Sequence, residues 1–325
     1  MSVELDITYV NFDHGGAEHD QSAVYVMDGL VELLGADGRT PDAGIIGEGN
    51  FWRVFGGKGI GQAQHALNTA FRDRSYVIRP GCLPNKWGDL GPALLYDANI
   101  VHVHTWDSGD GDPGFLERNA NRALLSLRDS PDQKFYLFGF HGHPDGDQRL
   151  HDVKPFRPYG AQAELPTMVL GDWFGHPSGP NFEPPNYVEH FDELWQYAPR
   201  MLFPDGIPVP GDFPFDTRAL DYLCGRWRRG RRDWRRAWLT RKPGGRVGGV
   251  GFSHVGELAR NYTPTNFPAP NGRPPTQIDA AVLNPRAAAM LVPGSVLIHE
   301  PAQQINSHKR ISFRLAFPAG TEGPE

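Results

Sequence analysis

Residues 7–13 read ITYVNFD, a run of β-branched and aromatic residues that ends in polar side chains. Such a run is typical of a buried strand, and the period of two along a strand would place Asn11 and Asp13 on one face. Comparable apolar runs recur along the chain. The sequence predicts buried strands at Ile7–Phe12, Ala43–Ile46, Ala93–Tyr96, Ile100–His104, Lys134–Phe140, Thr167–Leu170, Ile278–Leu283 and Ile311–Leu315.

Helical patterns lie between these runs. Apolar residues recur at helical spacing over Gln21–Leu34, and weaker patterns cover Phe115–Leu127 and Tyr187–Leu202. The 30 prolines and 39 glycines lie mostly between the elements, which predicts long loops. We therefore expect an α/β protein, with residues 1–325 in a single domain whose core spans residues 5–317.

The composition limits the class of protein. With 39% hydrophobic and 22% charged residues, the chain is globular, and wholesale disorder is excluded. The net charge of −6 does not indicate a polyanion partner, so such a partner would need a local basic patch. Because the N-terminus lacks a signal-peptide pattern and no apolar run approaches the roughly 18 residues of a membrane span, we expect a cytoplasmic protein. Cys82 and Cys224 are the only cysteines, and we expect reduced, packed thiols, with a disulfide left open.

Side chains that can bind a metal or move a proton lie at or just after the predicted strands. Carboxylate and amide oxygens suit Mg²⁺ or Mn²⁺, and an imidazole near a carboxylate suits a general base. A single aspartate after a strand is more often a turn or helix-cap residue, but the whole set favours a metal site. The candidates are Asn11, Asp13, Glu48, His141, Asp172, Asp279 and His308.

Short motifs surround these candidates and span nearly the whole chain. Each motif alone has low specificity, whereas their order along the chain is specific. They read NFDHGG at residues 11–16, PDAGIIGE at 41–48, GPALLYD at 91–97, HGHP followed by RL between 141 and 150, LGDW at 170–173, QID at 277–279 and SHK at 307–309.

In this order the motifs resemble those of the endonuclease/exonuclease/phosphatase superfamily, which includes deoxyribonuclease I, exonuclease III and the neutral sphingomyelinases. The resemblance implies a four-layer α/β sandwich, in which two packed mixed β-sheets are flanked by helices. It also implies metal-assisted hydrolysis of a phosphate ester, most directly a phosphodiester, in nucleic acid or a smaller phosphorylated molecule. Glu48, with Asn11 and Asp13, would hold or position Mg²⁺ or Mn²⁺.

The resemblance gives the other candidates roles around the phosphate. Asp172 would orient the attacking water or bind the metal, and His141 would stabilise the scissile phosphate. His308, steered by Asp279, would be the general base or would contact the phosphate. A His–Asp pair can transfer protons near neutral pH, and a hard cation neutralises charge that develops on phosphate.

Gly47 stands where the resembled family usually has glutamine, and two further family positions, close to the candidate catalytic residues, carry substitutions in this chain. Phe174 stands where the family has an asparagine two residues after the GD aspartate, and Phe cannot hydrogen bond to a phosphate oxygen. Ser307 stands where the family has an aspartate before the terminal histidine, so one carboxylate is missing. The alternative function is therefore a catalytically degenerate or re-targeted member that binds a ligand or a protein through the same cleft.

The segment at residues 226–238, RWRRGRRDWRRAW, is the most basic stretch of the chain. Leu223, Trp227, Trp234 and Trp238 are spaced to share a helical face, which favours an amphipathic helix docked by its tryptophans. The other interpretation is a polyanion contact, in which tryptophans stack on bases and arginines bind phosphates. Those arginines are Arg226, Arg228, Arg229, Arg231, Arg232, Arg235 and Arg236.

Two further patterns are weak. His102 and His104 form an HxH on a predicted strand, which is a feature of some zinc sites, but a structural pair on an exposed strand face is the favoured interpretation. Gly56–Gly61 resembles a phosphate-binding loop only in composition and lacks the Walker spacing, so a flexible loop is expected there.

Overall fold

The structure is a computed structural model, and the part of the chain that it describes forms a layered α/β sandwich. Two mixed β-sheets of six strands each pack face to face, and helices cover both outer faces. The α/β sandwich expected from the sequence is confirmed. The described residues are 2–18, 24–49, 52, 55–81, 91–108, 121–182, 201–202, 215–229, 244–268, 274–300 and 306–318.

The strands divide between the two large sheets and a small ribbon. In chain order they are β1 (Ser2–Asn11), β2 (Ala43–Gly47), β3 (Tyr76–Pro80), β4 (Ala93–Asp97), β5 (Val101–Asp107), β6 (Arg122–Leu127), β7 (Ser130–His141), β8 (Thr167–Asp172), β9 (Arg226–Arg228), β10 (Gly245–Val247), β11 (Ser253–His254), β12 (Asp279–Leu283), β13 (Leu297–His299) and β14 (Arg310–Pro318). The first sheet has the order β13-β14-β1-β2-β4-β3 and the second β11-β12-β8-β7-β6-β5, while β9 and β10 form the ribbon. The β1–β2 and β7–β8 pairs are parallel, and the other pairs are antiparallel.

The helices are short and lie outside the sheets. They are α1 (Asp28–Gly35), α2 (Lys58–Ala70), α3 (Gly146–Val153), α4 (Arg218–Cys224), α5 (Val255–Ala259) and α6 (Pro285–Met290). Short 3₁₀ turns cover Asp13–Gly16, Ala36–Gly38, Phe55–Gly57 and Lys154–Tyr159. No helix among the described residues is long and apolar enough to cross a membrane.

Strand alternation assigns each buried side chain to one of three apolar clusters. On β1, Leu5, Ile7 and Tyr9 face the cluster between the two sheets, and Val10 faces the cluster under α1 and α2. A third cluster packs α3 and α4 on the outer face of the second sheet. Both sheets are therefore buried on two faces, which is why their strands read as continuous apolar runs in the sequence.

The strands predicted from apolar runs are confirmed, whereas the helix predictions are confirmed only in part. Residues 24–27 are not helical, so the helix predicted over Gln21–Leu34 begins only at Asp28. The pattern over Phe115–Leu127 ends in the strand β6, because ALLSL is a short buried run that periodicity alone cannot assign. Most of Tyr187–Leu202 lies outside the described residues, and Met201 forms an isolated bridge with Phe215.

The basic segment also departs from the helix prediction. Gly225, at φ +87°, ends α4, and Arg226–Arg228 then pairs with Gly245–Val247 in an antiparallel ribbon. Leu223 and Trp227 therefore lie in different elements and do not share a helical face. Arg231, Arg232, Arg235 and Arg236 lie outside the described residues.

Two smaller predictions have clear outcomes. The glycine-rich stretch Gly56–Gly61 is not a flexible loop throughout, because Gly56 and Gly57 adopt left-handed conformations that turn the chain into α2 at Lys58. Cys224 is a free, buried thiol, as expected, while Cys82 lies outside the described residues.

Candidate active site

The predicted site residues meet at one end of the sandwich. In the second sheet, His141 pairs with Asp172 across β7 and β8, and Asp172 pairs with Asp279 across β8 and β12. In the first sheet, Asn11 pairs with Gly47 at the ends of β1 and β2, and Glu48 follows directly. Because the two sheets pack face to face, the two rows of strand ends form one polar rim.

Asn11 is the side chain that joins the two sheets at this rim. Its Nδ2 donates to Glu48 Oε1 at 3.0 Å and to Asp172 Oδ2 at 3.4 Å. Glu48 also accepts a hydrogen bond from the backbone N–H of His14 at 3.2 Å. One buried amide therefore orients a carboxylate from each sheet.

The segment before β14 closes the site by binding the turn after β1. Ser307 donates from its backbone N–H to Asp13 Oδ2 at 2.7 Å and from its hydroxyl to Asp13 Oδ1 at 2.6 Å. Asn306 Oδ1 accepts from the Asp13 N–H at 2.9 Å, and its Nδ2 donates to the carbonyls of Asn11 and His308. Ser307, at the position where the resembled family has an aspartate, therefore fixes the orientation of Asp13.

His308 and Asp279 form a buried pair. His308 Nδ1 lies 2.7 Å from Asp279 Oδ2, and both residues are buried. The Asp279 backbone N–H donates to Thr265 Oγ1 at 2.9 Å, which holds the start of β12 in place. The pairing uses Nδ1 of the imidazole and leaves Nε2 as its second ring nitrogen.

The electrostatics of the rim favour a cationic imidazole among anionic carboxylates. Burial would lower the pKa of His308, but the adjacent Asp279 carboxylate and Asp172 outweigh it and raise that pKa well above its usual range. Burial raises the pKa of Asp279, although the His308 imidazolium opposes the rise. Burial would also raise the pKa of Glu48, but His141, His308 and the Asn11 amide together lower it. Glu48 is therefore ionised at neutral pH.

Two groups of side chains at the rim have the geometry of a cation site. Asp13, Glu48 and His308 offer ligand atoms within 4.8 Å of one another, and so do Asp172, Asp279 and His308. Asn11 Oδ1 is buried and has no hydrogen-bond partner among the described residues. An unpartnered amide oxygen beside ionised carboxylates is the donor set of a hard divalent ion such as Mg²⁺ or Mn²⁺. The residues present therefore fit the metal that the family resemblance implies.

Phe174 lies against His141 at the edge of the site. The ring centroids are 5.4 Å apart with planes at 73°, an edge-to-face contact. The Phe174 backbone N–H donates to Asp172 Oδ1 at 2.8 Å, and its φ of +47° is left-handed. Left-handed backbone is costly for a residue with a bulky side chain, and such strain concentrates at functional sites. His14 and Glu48 are left-handed as well, at φ +50° and +56°.

The structure brings together every predicted site residue, including the two substituted positions, and adds others that sequence reasoning missed. Asn306, Thr265 and Tyr9 contact or underlie the site but were not among the candidates. Asn306 could have been found, because it directly precedes Ser307 and His308. The positions of Thr265 and Tyr9 depend on packing between strands, for which the sequence has no local signal.

The HxH histidines lie away from this rim. His102 and His104 are on β5, the edge strand of the second sheet, with their ring centroids 4.6 Å apart. His104 Nε2 lies 3.0 Å from Ser126 Oγ. Neither histidine belongs to a group of metal-binding geometry within the described part of the chain.

Comparisons with known proteins identify the fold. No protein-family model matches the chain, and no curated protein matches it. Among solved structures, the chain is similar to an endonuclease/exonuclease/phosphatase family protein from Bacteroides thetaiotaomicron, at 12% identity and a TM-score of 0.50, over 100% of this chain and 99% of the other. It is also similar to ANGEL2, a 2′,3′-cyclic phosphatase, at 11% identity and a TM-score of 0.51, over 97% of this chain and 95% of the other. The chain thus has the endonuclease/exonuclease/phosphatase fold expected from its motifs.

Proposed function

We propose that this protein is a divalent-metal-dependent phosphoesterase and that it hydrolyses a phosphodiester. The observation that carries the proposal is that His308, paired with Asp279 of the second sheet, has a ring nitrogen within 4.8 Å of the Asp13 and Glu48 carboxylates that follow strands of the first sheet. A phosphate ester needs a cation for its charge and positioned groups for its water and leaving group. The rim supplies residue types for both tasks.

Glu48 would hold the metal, with Asn11 and Asp13 beside it. The lowered pKa of Glu48 keeps this carboxylate ionised, and the Asn11 amide orients it. Ser307 binds both oxygens of Asp13, so this carboxylate would stand beside the metal as a charge of fixed orientation. When bound, Mg²⁺ or Mn²⁺ would neutralise phosphate charge as the ester bond breaks.

His308 would act as a cationic contact for the phosphate. Because Asp279 raises its pKa, the imidazole carries both protons near neutral pH, with Nδ1 occupied by Asp279. The Nε2 proton is then available to a phosphate oxygen or to the leaving group. Asp172, which accepts from Asn11 and from the Phe174 N–H, would orient the attacking water. His141, beside Asp172 in the β7–β8 pair, would contact the phosphate.

The arginine ribbon supports a substrate that extends beyond the reacting phosphate. Arg226, Arg228 and Arg229 are exposed, and no acidic partner is recorded for them among the described residues. Arg246 anchors the ribbon by binding Glu257 and the carbonyls of Gly225 and Ser178. Ser178 lies on the segment that follows β8. Exposed arginines on a rigid support suit the backbone of a polyanion such as nucleic acid.

A second candidate function is a binding protein on the same fold. It is favoured by Ser307, which occupies both carboxylate oxygens of Asp13, and by Phe174, which presents an apolar ring to the site. This candidate predicts binding of a phosphorylated ligand without turnover. Ionised Glu48 and the His308–Asp279 pair favour the enzyme.

The proposal is tested by hydrolysis of an aryl phosphodiester and of plasmid DNA, with Mg²⁺, with Mn²⁺ and with EDTA. We expect metal-dependent turnover that falls about 100-fold or more in Glu48→Gln, because the metal-holding charge is lost while the shape is kept. Glu32→Gln, an exposed change on α1, is the matched control. Turnover that is equal in Glu48→Gln and wild type, or that persists in EDTA, would contradict the proposal.

A further inference from the structure

Tyr9 is a buried polar residue directly beneath the site and has no role in the proposed reaction. It precedes Asn11 by two residues on β1, so both side chains face the space between the sheets, and Tyr9 is 0% exposed. Its hydroxyl lies next to Asn11, because a Cβ built on Gly47 would approach both Tyr9 Oη and Asn11 Oδ1. Tyr9 therefore presents an O–H donor beneath the rim.

The tyrosine fits there because position 47 is glycine. A Cβ built on Gly47 would lie 2.6 Å from Tyr9 Oη and 3.3 Å from Asn11 Oδ1. Contacts as short as 2.6 Å are too close for a carbon and a hydroxyl oxygen, so a side chain at this position would displace Tyr9 or force the strands apart. The motif PDAGIIGE has Gly47 where the resembled family has Gln, and the Tyr9 hydroxyl occupies the space next to the missing side chain.

Three buried polar atoms at this point have no hydrogen-bond partner among the described residues. They are Tyr9 Oη, Asn11 Oδ1 and Asp279 Oδ1. Leaving such atoms unpaired away from water is unfavourable, so native structures pair them with protein or with ordered water. Tyr9 has one hydrogen to donate, and the other two atoms are acceptors. Asn11 Oδ1 belongs to the donor set of the candidate cation site, whereas one water molecule can accept from Tyr9 Oη and donate to Asp279 Oδ1.

We propose that Tyr9 is a positioning residue of the candidate active site, and that its hydroxyl donates to a water molecule that in turn donates to Asp279 Oδ1. This inference deepens the proposed phosphoesterase function and rests on it. The water would hold Asp279, which orients His308. Tyr9 would thus align the His308–Asp279 pair without touching the substrate.

The first test compares Tyr9→Phe with Tyr76→Phe. Tyr76 is an equally buried tyrosine whose hydroxyl donates to the Pro41 carbonyl at 2.8 Å, away from the site, so its variant controls for loss of a buried hydroxyl. We expect kcat on the aryl phosphodiester to fall about 10-fold in Tyr9→Phe, with KM within about twofold of wild type, and no change in Tyr76→Phe. A kcat in Tyr9→Phe within twofold of wild type would overturn the inference. If the proposed function itself is wrong, wild type will show no metal-dependent turnover, which is a different result from equal turnover in wild type and Tyr9→Phe.

The second test needs no activity. Gly47→Ala is introduced into wild type and into Tyr9→Phe, and thermal unfolding of the four proteins is followed. Because the added methyl group meets the Tyr9 hydroxyl, we expect the midpoint to fall by about 5 °C or more in wild type and by less than half as much in Tyr9→Phe. Equal losses in the two backgrounds would show that the hydroxyl does not lie against Gly47, and would overturn the inference.

Discussion

Ser307 binds both carboxylate oxygens of Asp13, with its backbone N–H 2.7 Å from Oδ2 and its hydroxyl 2.6 Å from Oδ1. The resembled family has an aspartate at the position of Ser307. In this chain the serine carries no charge there and instead donates two hydrogen bonds that fix the orientation of the Asp13 carboxylate. Compared with the family pattern, the site has one negative charge fewer and a more rigid Asp13.

Ser307→Ala is expected to destabilise the metal-free protein by about 1–2 kcal/mol, because a hydrogen bond to a charged acceptor is removed. The deficit should shrink in saturating Mg²⁺, since the freed Asp13 oxygen can then approach the cation. Urea unfolding with Mg²⁺ and with EDTA measures both quantities, and Ser307→Thr, which keeps the hydroxyl, is the control. A deficit that is the same in Mg²⁺ and in EDTA would mean that Asp13 does not approach the metal.

His308→Ala is expected to cost about 3 kcal/mol near pH 7, because it leaves the Asp279 carboxylate buried without its partner. Burial raises the pKa of Asp279, and without the imidazolium this carboxyl takes up a proton more readily still. In wild type the raised pKa of His308 adds stability as the pH falls from 8 to about 6.5, and the variant lacks this gain. Below about pH 6.5 a histidine is protonated in the folded and the unfolded protein alike, so over that range the deficit relative to wild type should shrink as Asp279 of the variant takes up its proton. Urea unfolding between about pH 6.5 and pH 5 tests this, and His308→Ala/Asp279→Asn, which has no carboxyl to titrate at position 279, is the control. A deficit of the single variant that stays constant over this range would mean that the unpaired Asp279 does not take up a proton.

His254→Asn is expected to flatten the dependence of stability on pH. His254 Nδ1 accepts from the Gly256 N–H at 3.1 Å at the start of α5, and burial together with Arg246 and His176 lowers its pKa to about 3. In the unfolded chain, where its pKa is about 6.5, the histidine is protonated at mildly acidic pH, whereas in the folded protein it stays neutral. The stability that neutral His254 contributes to the folded state is therefore complete above about pH 6.5 and is lost as the pH falls.

For His254 alone the loss between pH 7 and pH 5 amounts to about 2 kcal/mol. Asparagine keeps an acceptor for Gly256 and cannot titrate, so His254→Asn should lose less stability over this range than wild type. Urea unfolding at steps of pH measures the slope, and His65→Asn, an exposed position on α2, is the control. An unchanged slope in His254→Asn would show that His254 is protonated in the folded protein.

Replacing Arg226 and Arg228 together by Gln is expected to weaken binding to duplex DNA and to lower its salt dependence. The slope of log K against log salt concentration should fall by about 2, because each lost phosphate contact releases one counterion fewer. Fluorescence anisotropy at several salt concentrations measures the slope, and Arg72→Gln, an exposed change just after α2, is the control. If the slope stayed at the wild-type value, the ribbon would have no role in polyanion binding.

The sequence alone determined the class of fold and most of the candidate site. Buried strands such as Thr167–Leu170 and Ile278–Leu283 are continuous apolar runs because both faces of each sheet are covered. Such a run can be recognised from neighbouring residues in the sequence alone. Polar residues at the ends of these runs, such as Asp172 and Asp279, were identified by their place after or at the start of a strand. Local patterns failed where a short apolar run fits either element, as at β6, and where one glycine redirects the chain, as at Gly225.

Only the tertiary structure decided how the candidates meet. The clamp of Ser307 on Asp13 joins residues 294 positions apart, and the Asn11 amide bridges to Asp172 across 161 positions. The fit of Tyr9 over Gly47 likewise depends on the parallel register of β1 and β2, in which Asn11 faces Gly47. Periodicity specifies which face a side chain occupies within its own strand, but the register between strands and the packing between sheets depend on the whole core. For this reason the sequence could single out the candidate residues, while the hydrogen bonds that set their charge and orientation came from the fold.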